Sequence, residues 1–560
     1  MRRAIRGWRV LVALVAAFPL WLFPYIPFTD APNHLLAAFI IVHYRDPRFS
    51  FPRYFTVDLT PRSNILGHYV MIALLRLGLS PETTLRVLAT LIVWLTLGGM
   101  FALMAGMRGR AYARQWLPLG IVLAYTWFFH QGFLNFSLSV GLGLLTLALG
   151  VRRGLWGREG RPGWRDHVGV TLLAYLTYLA HALGLALVLT GVAGFLLGEG
   201  VGWVRERAWR RGLRRGGAML LPFLLLGGIV VLTGRLSPNA RGEAGAFLSP
   251  PFIVWVPLSK KVAELRYGLL NFSPFREQII LLPLVLLYLA GWVRTLSRPR
   301  GYHLPALVAL AAYFILPMGF WVPFFIYERF WLFALLLGAL ALPHVRRSRR
   351  VGTRVVVWGV TLLFLLNLTN DYRIANGYLA DYHQVLGALP SGATAFPFTY
   401  HHQGRISPAR HFWAYAMMER DVFIPMVFAE TYHPVQYRPQ VARPYPLHYE
   451  DGFFAEHAHN RAVLWVREDD PLMRRVTLPK LGRHGYVRVG RVGPYGIYAL
   501  CAWPPPVPPE ARPHIREDVR RAYSHLLLFG YPPPSLVQEV ERGYRLEVRK
   551  GLARLYGRVP

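Results

Sequence analysis

The feature that most constrains this chain is a series of apolar runs separated by arginine-rich stretches. Several runs reach about 17–25 residues, the length a helix needs to cross a bilayer. Apolar residues make up 54% of the 560 positions, which does not suit an ordinary soluble protein. The runs fall at about 8–27, 84–105, 115–130, 133–150, 167–180, 182–197, 217–234, 278–294, 302–319, 328–343 and 352–369. The chain therefore reads as a polytopic α-helical membrane protein with about 11 transmembrane helices. The first run follows "MRRAIRGWR" and has no A-x-A site after it, so it reads as a signal-anchor.

Arginine sets the expected orientation, because cytoplasmic loops carry the Lys/Arg excess. The dense clusters are "RGRAYAR" (108–114), "RRGLWGREGRPGWR" (152–165), "VRERAWRRGLRR" (204–215), "RTLSRPR" (294–300) and "HVRRSRRVGTR" (344–354). All fall on one side if 63–79, "SNILGHYVMIALLRLGL", stays at the interface instead of spanning. The N-terminus is then cytoplasmic and the C-terminus extracytoplasmic. The formal charge of +34 becomes a positive-inside ring against lipid head groups, not a nucleic-acid surface. The one cysteine, Cys501, excludes an intrachain disulfide and a cysteine-based metal site.

Three regions follow. Residues 1–369 form the transmembrane domain, with outer loops 28–83 and 235–277. Residues 370–501 form an extracytoplasmic α/β domain. Strands are expected at 393–400 and 461–468, with a hairpin over 485–502 turning at Gly493-Pro494 and a helix at 409–420. Residues 502–560 are expected as a Pro-rich connector, "AWPPPVPPEARP", and a helical C-terminal segment including 515–529.

The chain has no Walker loop, no dinucleotide-binding glycine motif opening a βαβ unit, no H-E-x-x-H and no G-x-S-x-G. Candidate chemistry therefore lies at the outer helix ends. The stretch "FTDAPNHLLAAFIIVHY" (28–44) sets Asp30 and His34 one helical turn apart beside the first span. It has a structural reading, a helix start with Thr29 or Asp30 as N-cap and Pro32 in the first turn. It has a functional one, a carboxylate at the lipid–water boundary serving as general base. The helix after Pro32 is expected to lie on the membrane with its apolar stripe down. Other outer polar groups are His130, Gln131 and Asn135 in "HQGFLNF", and His181 at a helix break. Lys260, Lys261 and Arg266 lie in the second outer loop, and Glu328 and Arg329 in "YERF". Ionisable groups at such depth are costly and mark functional sites by default. A helix cap at His181, pairing of Glu328 or Arg329 with other buried groups, and non-specific lipid contact by the lysines are the structural readings of the same residues.

"TDAPNHLLAAFIIVHY", "QGFLNFSLSVGLGLLTLALG", "AHALGLALVL" and "ERFWLFALLL" resemble segments of bacterial membrane proteins placed near the GT-C glycosyltransferase superfamily. The layout over 8–369 is similar too: one span, a large outer loop opening with an acid, then many spans and an outer domain. The resemblance implies an inverting membrane glycosyltransferase of the bacterial cytoplasmic (inner) membrane. Its donor would be a polyprenyl-phosphate-linked sugar and its acceptor an envelope glycan, lipid or protein. It implies Asp30 as catalytic base or acceptor-orienting group. His34, His130, Asn135, His181, Lys260, Lys261, Glu328 and Arg329 would bind substrate, with Lys260, Lys261 and Arg329 placed as phosphate-binding cations by position. No metal ligand is assigned, and a divalent cation is left open as cofactor. Many members carry two adjacent acids in this loop; here Asp30 stands alone. A non-catalytic envelope-assembly protein and a lipid or polysaccharide precursor transporter are the competing readings.

The orientation has a direct check. A reporter active only outside the cytoplasm is expected to stay silent when fused after Tyr112 and to work when fused after Tyr400.

Overall fold

The apolar runs form helices. In the computed structural model the described residues are 2–157, 160, 162–235, 252–296, 301–320, 325–345, 350–429, 433–441, 463–469, 478, 481, 486–492, 494–500 and 522–559. The main helices are α1 (Arg2–Ala17), α2 (Ala31–Val42), α3 (Leu66–Arg76), α4 (Pro81–Arg108), α5 (Arg110–Ala124), α6 (Leu134–Arg152), α7 (Trp164–Ala180), α8 (Ala182–Arg205), α9 (Trp209–Arg235), α10 (Pro274–Leu296), α11 (Leu304–Ile315), α12 (Ile326–Gly338) and α13 (Arg350–Leu386). Among the described residues, six helical stretches are long and apolar enough to cross a membrane. They are Pro81–Arg108, Leu134–Arg152, Ala182–Val201, Gly212–Thr233, Pro274–Leu296 and Val351–Leu386. The runs at 302–319 and 328–343 are shorter as helices than expected, at 12 and 13 residues.

Helix α3, within the segment expected at the interface, has 11 residues. It rises about 16 Å, roughly half the thickness of a bilayer's hydrocarbon layer. Helix α4 then starts afresh at Pro81, with the Ser80 hydroxyl accepting from the Thr83 N–H at 3.2 Å. At the other extreme, α13 runs unbroken for 37 residues, far past the expected span end at 369. The passage from bundle to tail therefore lies inside one helix.

Among the described residues, two sheets join the tail to loops of the bundle and a third lies within the tail. Strand β1 (Phe55–Val57) of the first loop pairs antiparallel with β5 (Val435–Tyr437) of the tail. A second sheet has the order β3-β2-β6-β8-β7. It joins β2 (Phe252–Trp255) and β3 (Gly319–Phe320) from the bundle's loops to β6 (Val463–Arg467), β7 (Tyr486–Val492) and β8 (Tyr495–Leu500). A third has the order β10-β11-β9-β4. Its members are β4 (Ala395–Tyr400), β9 (His525–Gly530), β10 (Tyr544–Lys550) and β11 (Ala553–Arg558), with β4 parallel to β9.

The third sheet corrects the reading of the C-terminal segment. Of residues 515–529, Ala522 is helical, but the helix does not continue, because 525–529 belong to β9. Leu527 and Phe529 face the main core, and Leu526 and Leu528 face a smaller cluster under α15 (Pro534–Glu541). A strand buried on both faces loses the alternation that distinguishes it from a helix. The segment is thus strand, helix and hairpin, sharing a sheet with 395–400. Within the expected helix 409–420, only α14 (Ala414–Glu419) is helical. Connector 502–513, loop residues 236–251, residues 515–521 and Gly493 lie outside the described residues.

Helix α2 also departs from expectation. It does not rest on the membrane with a polar face in water; Ala31 through Ile41 are all buried. Its neighbours are α3 and tail helix α14. The polar face is covered by protein because Asn33 hydrogen-bonds the tail, as described below.

The start of α2 is held by the turn between α5 and α6. Thr29 N–H donates to the His130 carbonyl at 3.1 Å, and Asp30 N–H to the Gln131 carbonyl at 2.9 Å. Gly132 follows with φ +87°, and a Cβ there would lie 2.4 Å from Ala31 N and 2.8 Å from Asp30 N. Both the left-handed backbone and the close approach demand glycine. Gly132→Ala is expected to cost roughly 2–4 kcal/mol, read as a lower thermal midpoint of the detergent-solubilised protein.

Candidate active site at the end of the helix bundle

Asp30 precedes α2, and its side chain makes no helix-cap hydrogen bond. The carboxylate instead meets the tail. Its Oδ1 lies 3.4 Å from His411 Nε2, and the Asp30 side chain is 13% exposed. The other face of the His411 ring is fixed as well, with Nδ1 3.3 Å from Asn33 Nδ2. An amide N–H donating to Nδ1 leaves the ring proton on Nε2, directed at Asp30. Asn33 spends the rest of its amide on the tail backbone. Nδ2 donates to the Met426 carbonyl at 2.8 Å, and Oδ1 accepts from Phe428 N–H at 2.9 Å. Asp30 thus has one oxygen engaged by an imidazole and, among the described residues, a second with no side-chain partner.

One turn along α2, His34 is buried and meets a different set of partners. Its Nδ1 lies 3.3 Å from His68 Nε2 on α3. His433 of the tail completes a buried group of three imidazoles, whose nearest ring nitrogens all lie within 4.8 Å of one another. Asn135, at the start of α6, sits beneath His68. Its Nδ2 is 3.3 Å from His68 Nδ1 and donates to the Asn64 carbonyl at 2.9 Å, while Oδ1 accepts from Gly67 N–H.

A second group lies where α7 meets α8. His181 caps α8 through Nδ1, which accepts from Leu183 N–H at 3.0 Å, and its Nε2 is 3.4 Å from Arg329 Nη1. Arg329 is buried against Phe128, Phe133 and Phe136. Among the described residues no carboxylate comes within ion-pair distance of it, and its Nε has no hydrogen-bond partner. The two groups are neighbours. Asn135 and Phe136 are adjacent on α6, and the approach to α3 is pinned to the α7–α8 joint. Ile65 N–H donates to Leu179, and Ala182 N–H to Ser63 Oγ.

The remaining sequence candidates divide differently. The His130 ring lies between Tyr372 OH at 2.9 Å and the Thr126 carbonyl, so it serves packing, while its own carbonyl holds Thr29. Lys261 spends its ammonium on the carbonyls of Tyr313, Phe314 and Leu316, closing the C-terminus of α11. Lys260 pairs with Glu264 at 3.5 Å, and Glu264 accepts from Tyr327 OH. Glu328 is on the same side as this cluster, and its Oε2 finds no partner. Asp30, His34 and Asn135 are therefore brought into one region, His181 and Arg329 into the adjoining one, and the lysines and Glu328 into a third.

Sequence reasoning did not select His411, His433 or Asn33 as site residues. His411 and His433 lie nearly four hundred residues from Asp30, and no local spacing connects them. A cavity of about 220 Å³ lies on the tail side, lined by Pro397, Thr399, His401, His402, Ser407 and Arg410. It reaches the site through Ser407, whose N–H donates to Thr29 Oγ1 at 3.1 Å.

No family model and no curated protein matches the sequence. Solved structures do match. ArnT from Cupriavidus metallidurans bound to undecaprenyl phosphate is similar over 99% of this chain and 98% of that one, with a TM-score of 0.50 and 12% identity. The fold is similar to that of ArnT. ArnT in the apo state is similar over 89% of this chain and 98% of its own, with a TM-score of 0.48 and 13% identity. The arabinofuranosyltransferase AftD from Mycobacteria is similar over 99% of this chain and 40% of its own, with a TM-score of 0.45 and 13% identity. At such identities the likeness is one of fold. Within that fold, the residues described above are this chain's own.

Burial gives this region a pH dependence. It pushes the His34 imidazole down to about 4, with nearby Asp30 opposing the shift, and it lowers His68, His411 and His433 as well. In the unfolded chain these rings take up protons near their ordinary value of about 6.5. The unfolded state then binds more protons than the folded one as pH falls below that value. Stability present above about pH 6.5 is therefore lost toward pH 4, by up to about 1.4 kcal/mol per pH unit for each ring. The thermal midpoint is expected to drop between pH 7.5 and 5, and His34→Gln to flatten that dependence.

Proposed function

We propose that this chain is a membrane glycosyltransferase that moves a sugar from a polyprenyl-phosphate donor to a cell-envelope acceptor on the extracytoplasmic face. The observation that carries the reading is Asp30. It is a mostly buried carboxylate with one oxygen engaged by His411 and the other open, on a fold shared with polyprenyl-phosphate-dependent enzymes. The open oxygen suits proton transfer from an acceptor hydroxyl or amine, and the His411 contact holds the carboxylate in one rotamer. The deprotonated acceptor attacks the anomeric carbon, the bond to the lipid phosphate breaks, and the configuration at that carbon inverts.

Departure of the phosphate needs a fixed cation, because negative charge develops on it in the transition state. Arg329 is the group best suited among the sequence candidates. It is buried and has no carboxylate partner among the described residues, and it presents a planar fork of donors. Lys261 is poorly suited, since its donors already serve α11. The missing second acid removes the usual carboxylate pair for a divalent ion beside the reacting carbon. In this reading Asp30 works by proton transfer alone.

The test is release of polyprenyl phosphate from a panel of lipid-linked pentoses and hexoses by membranes containing the chain. Asp30→Asn is expected to lower turnover at least about 100-fold while the protein still inserts and folds. Arg329→Gln is expected to weaken binding of undecaprenyl phosphate by roughly 10–100-fold, the worth of a charged hydrogen bond. Full activity in Asp30→Asn overturns the assignment of the base.

A further inference from the structure

The three buried imidazoles of His34, His68 and His433 have no part in the transfer just described. They come from three separate pieces of chain: α2, α3 and the tail just before β5. Gathering three histidines away from water is expensive unless their nitrogens find partners.

The geometry points to a site for a divalent transition metal of the zinc class, held by His34, His68 and His433. Zinc–imidazole bonds of about 2.0–2.1 Å in a tetrahedral arrangement put neighbouring ligand nitrogens about 3.3 Å apart. His34 Nδ1 and His68 Nε2 are 3.3 Å apart, which is one such edge. The His433 ligand nitrogen lies within 4.8 Å of both, so a small side-chain rotation closes the triangle. All-imidazole donors favour zinc and its first-row neighbours, whereas magnesium and calcium require oxygen.

The surroundings support the ligands. A metal-binding histidine needs its other ring nitrogen held by an outer partner. Asn135 holds the far side of the His68 ring, with its Nδ2 3.3 Å from His68 Nδ1. His433 is steadied through its backbone, whose carbonyl accepts from Arg62 Nη2 at 2.8 Å, and Asp58 neutralises Arg62 at 2.9 Å. Asp30, one helical turn before His34 in the sequence, supplies negative charge to balance the ion.

Three protein ligands leave the fourth tetrahedral position to water. The ion would clip the tail onto the first loop by joining residues far apart in sequence, and it would do so whether or not Asp30 is the catalytic base. Sequence spacing does not reveal such a site, since only His34 and His68 share a loop and neither is at a metal-motif interval.

The test uses the full-length protein in detergent and needs no substrate. After treatment with a chelator and dialysis against Co2+, the wild-type chain is expected to bind about one ion per chain. Intense visible d–d bands of four-coordinate cobalt should appear, and Zn2+ should abolish them. His433→Ala and His34→Gln are expected to lose both the bands and the stoichiometric ion, and chelator to lower the thermal midpoint of wild type but not of the variants. Absence of the bands in folded wild type overturns the proposal, as does equal binding by wild type and both variants. The first of these readings stands even if a variant fails to fold.

Discussion

The side-chain amide of Asn33 is the contact on which the outer part of this molecule depends. One group donates to Met426, accepts from Phe428 and reaches the His411 ring. A buried amide with all its capacity met is stabilising; one left half-used costs about 1–3 kcal/mol. Through it the tail is seated on α2, and the seating brings His411 to Asp30 and His433 toward His34. Without the tail, α2 would offer a bare polar face and Asp30 would be an ordinary exposed carboxylate. The site is therefore a property of the interface between bundle and tail, not of the first loop alone.

Much of the bundle was legible in the sequence because lipid imposes one rule, about twenty apolar residues per crossing, that needs no knowledge of tertiary contacts. The short helix α3 was legible for the same reason in reverse, since a run carrying His68 and Arg76 is too polar and too brief to be a comfortable span. The tail was harder. Strands β4, β6, β7 and β8 were visible from β-branched and aromatic residues. Strand β9 was not, because "HLLLFG" is covered on both sides and reads equally well as a helix. The all-round burial of α2 was also invisible, since the residues that cover it lie nearly four hundred positions away.

The candidate site divides along the same line. Asp30, His34, Asn135, His181 and Arg329 stood out as candidates because an ionisable or amide group at a helix end beside a membrane is conspicuous by itself. Lys261 was conspicuous for the same reason, yet its ammonium closes a helix, as a cation near three free carbonyls will. His411 and His433 carry no local mark, and a histidine in a soluble tail is unremarkable until folding places it against an acid or two other rings. What a sequence pattern detects is the cost of a polar group; which partner offsets the cost is settled by distant chain.

The five-stranded sheet has a consequence for how the molecule is made. Its order β3-β2-β6-β8-β7 sets two strands from loops of the bundle beside three from the tail, and in the four-stranded sheet β4 waits for β9. Pairings between such distant segments form slowly and late. Ribosomes deliver the chain from its N-terminus, so Asp30 emerges first and its covering last. A chain interrupted before the tail would insert as a bundle with an uncovered carboxylate and no His411 to restrain it. The pairing of Asp30 with His411 therefore comes into being only when the tail docks, late in the chain's assembly.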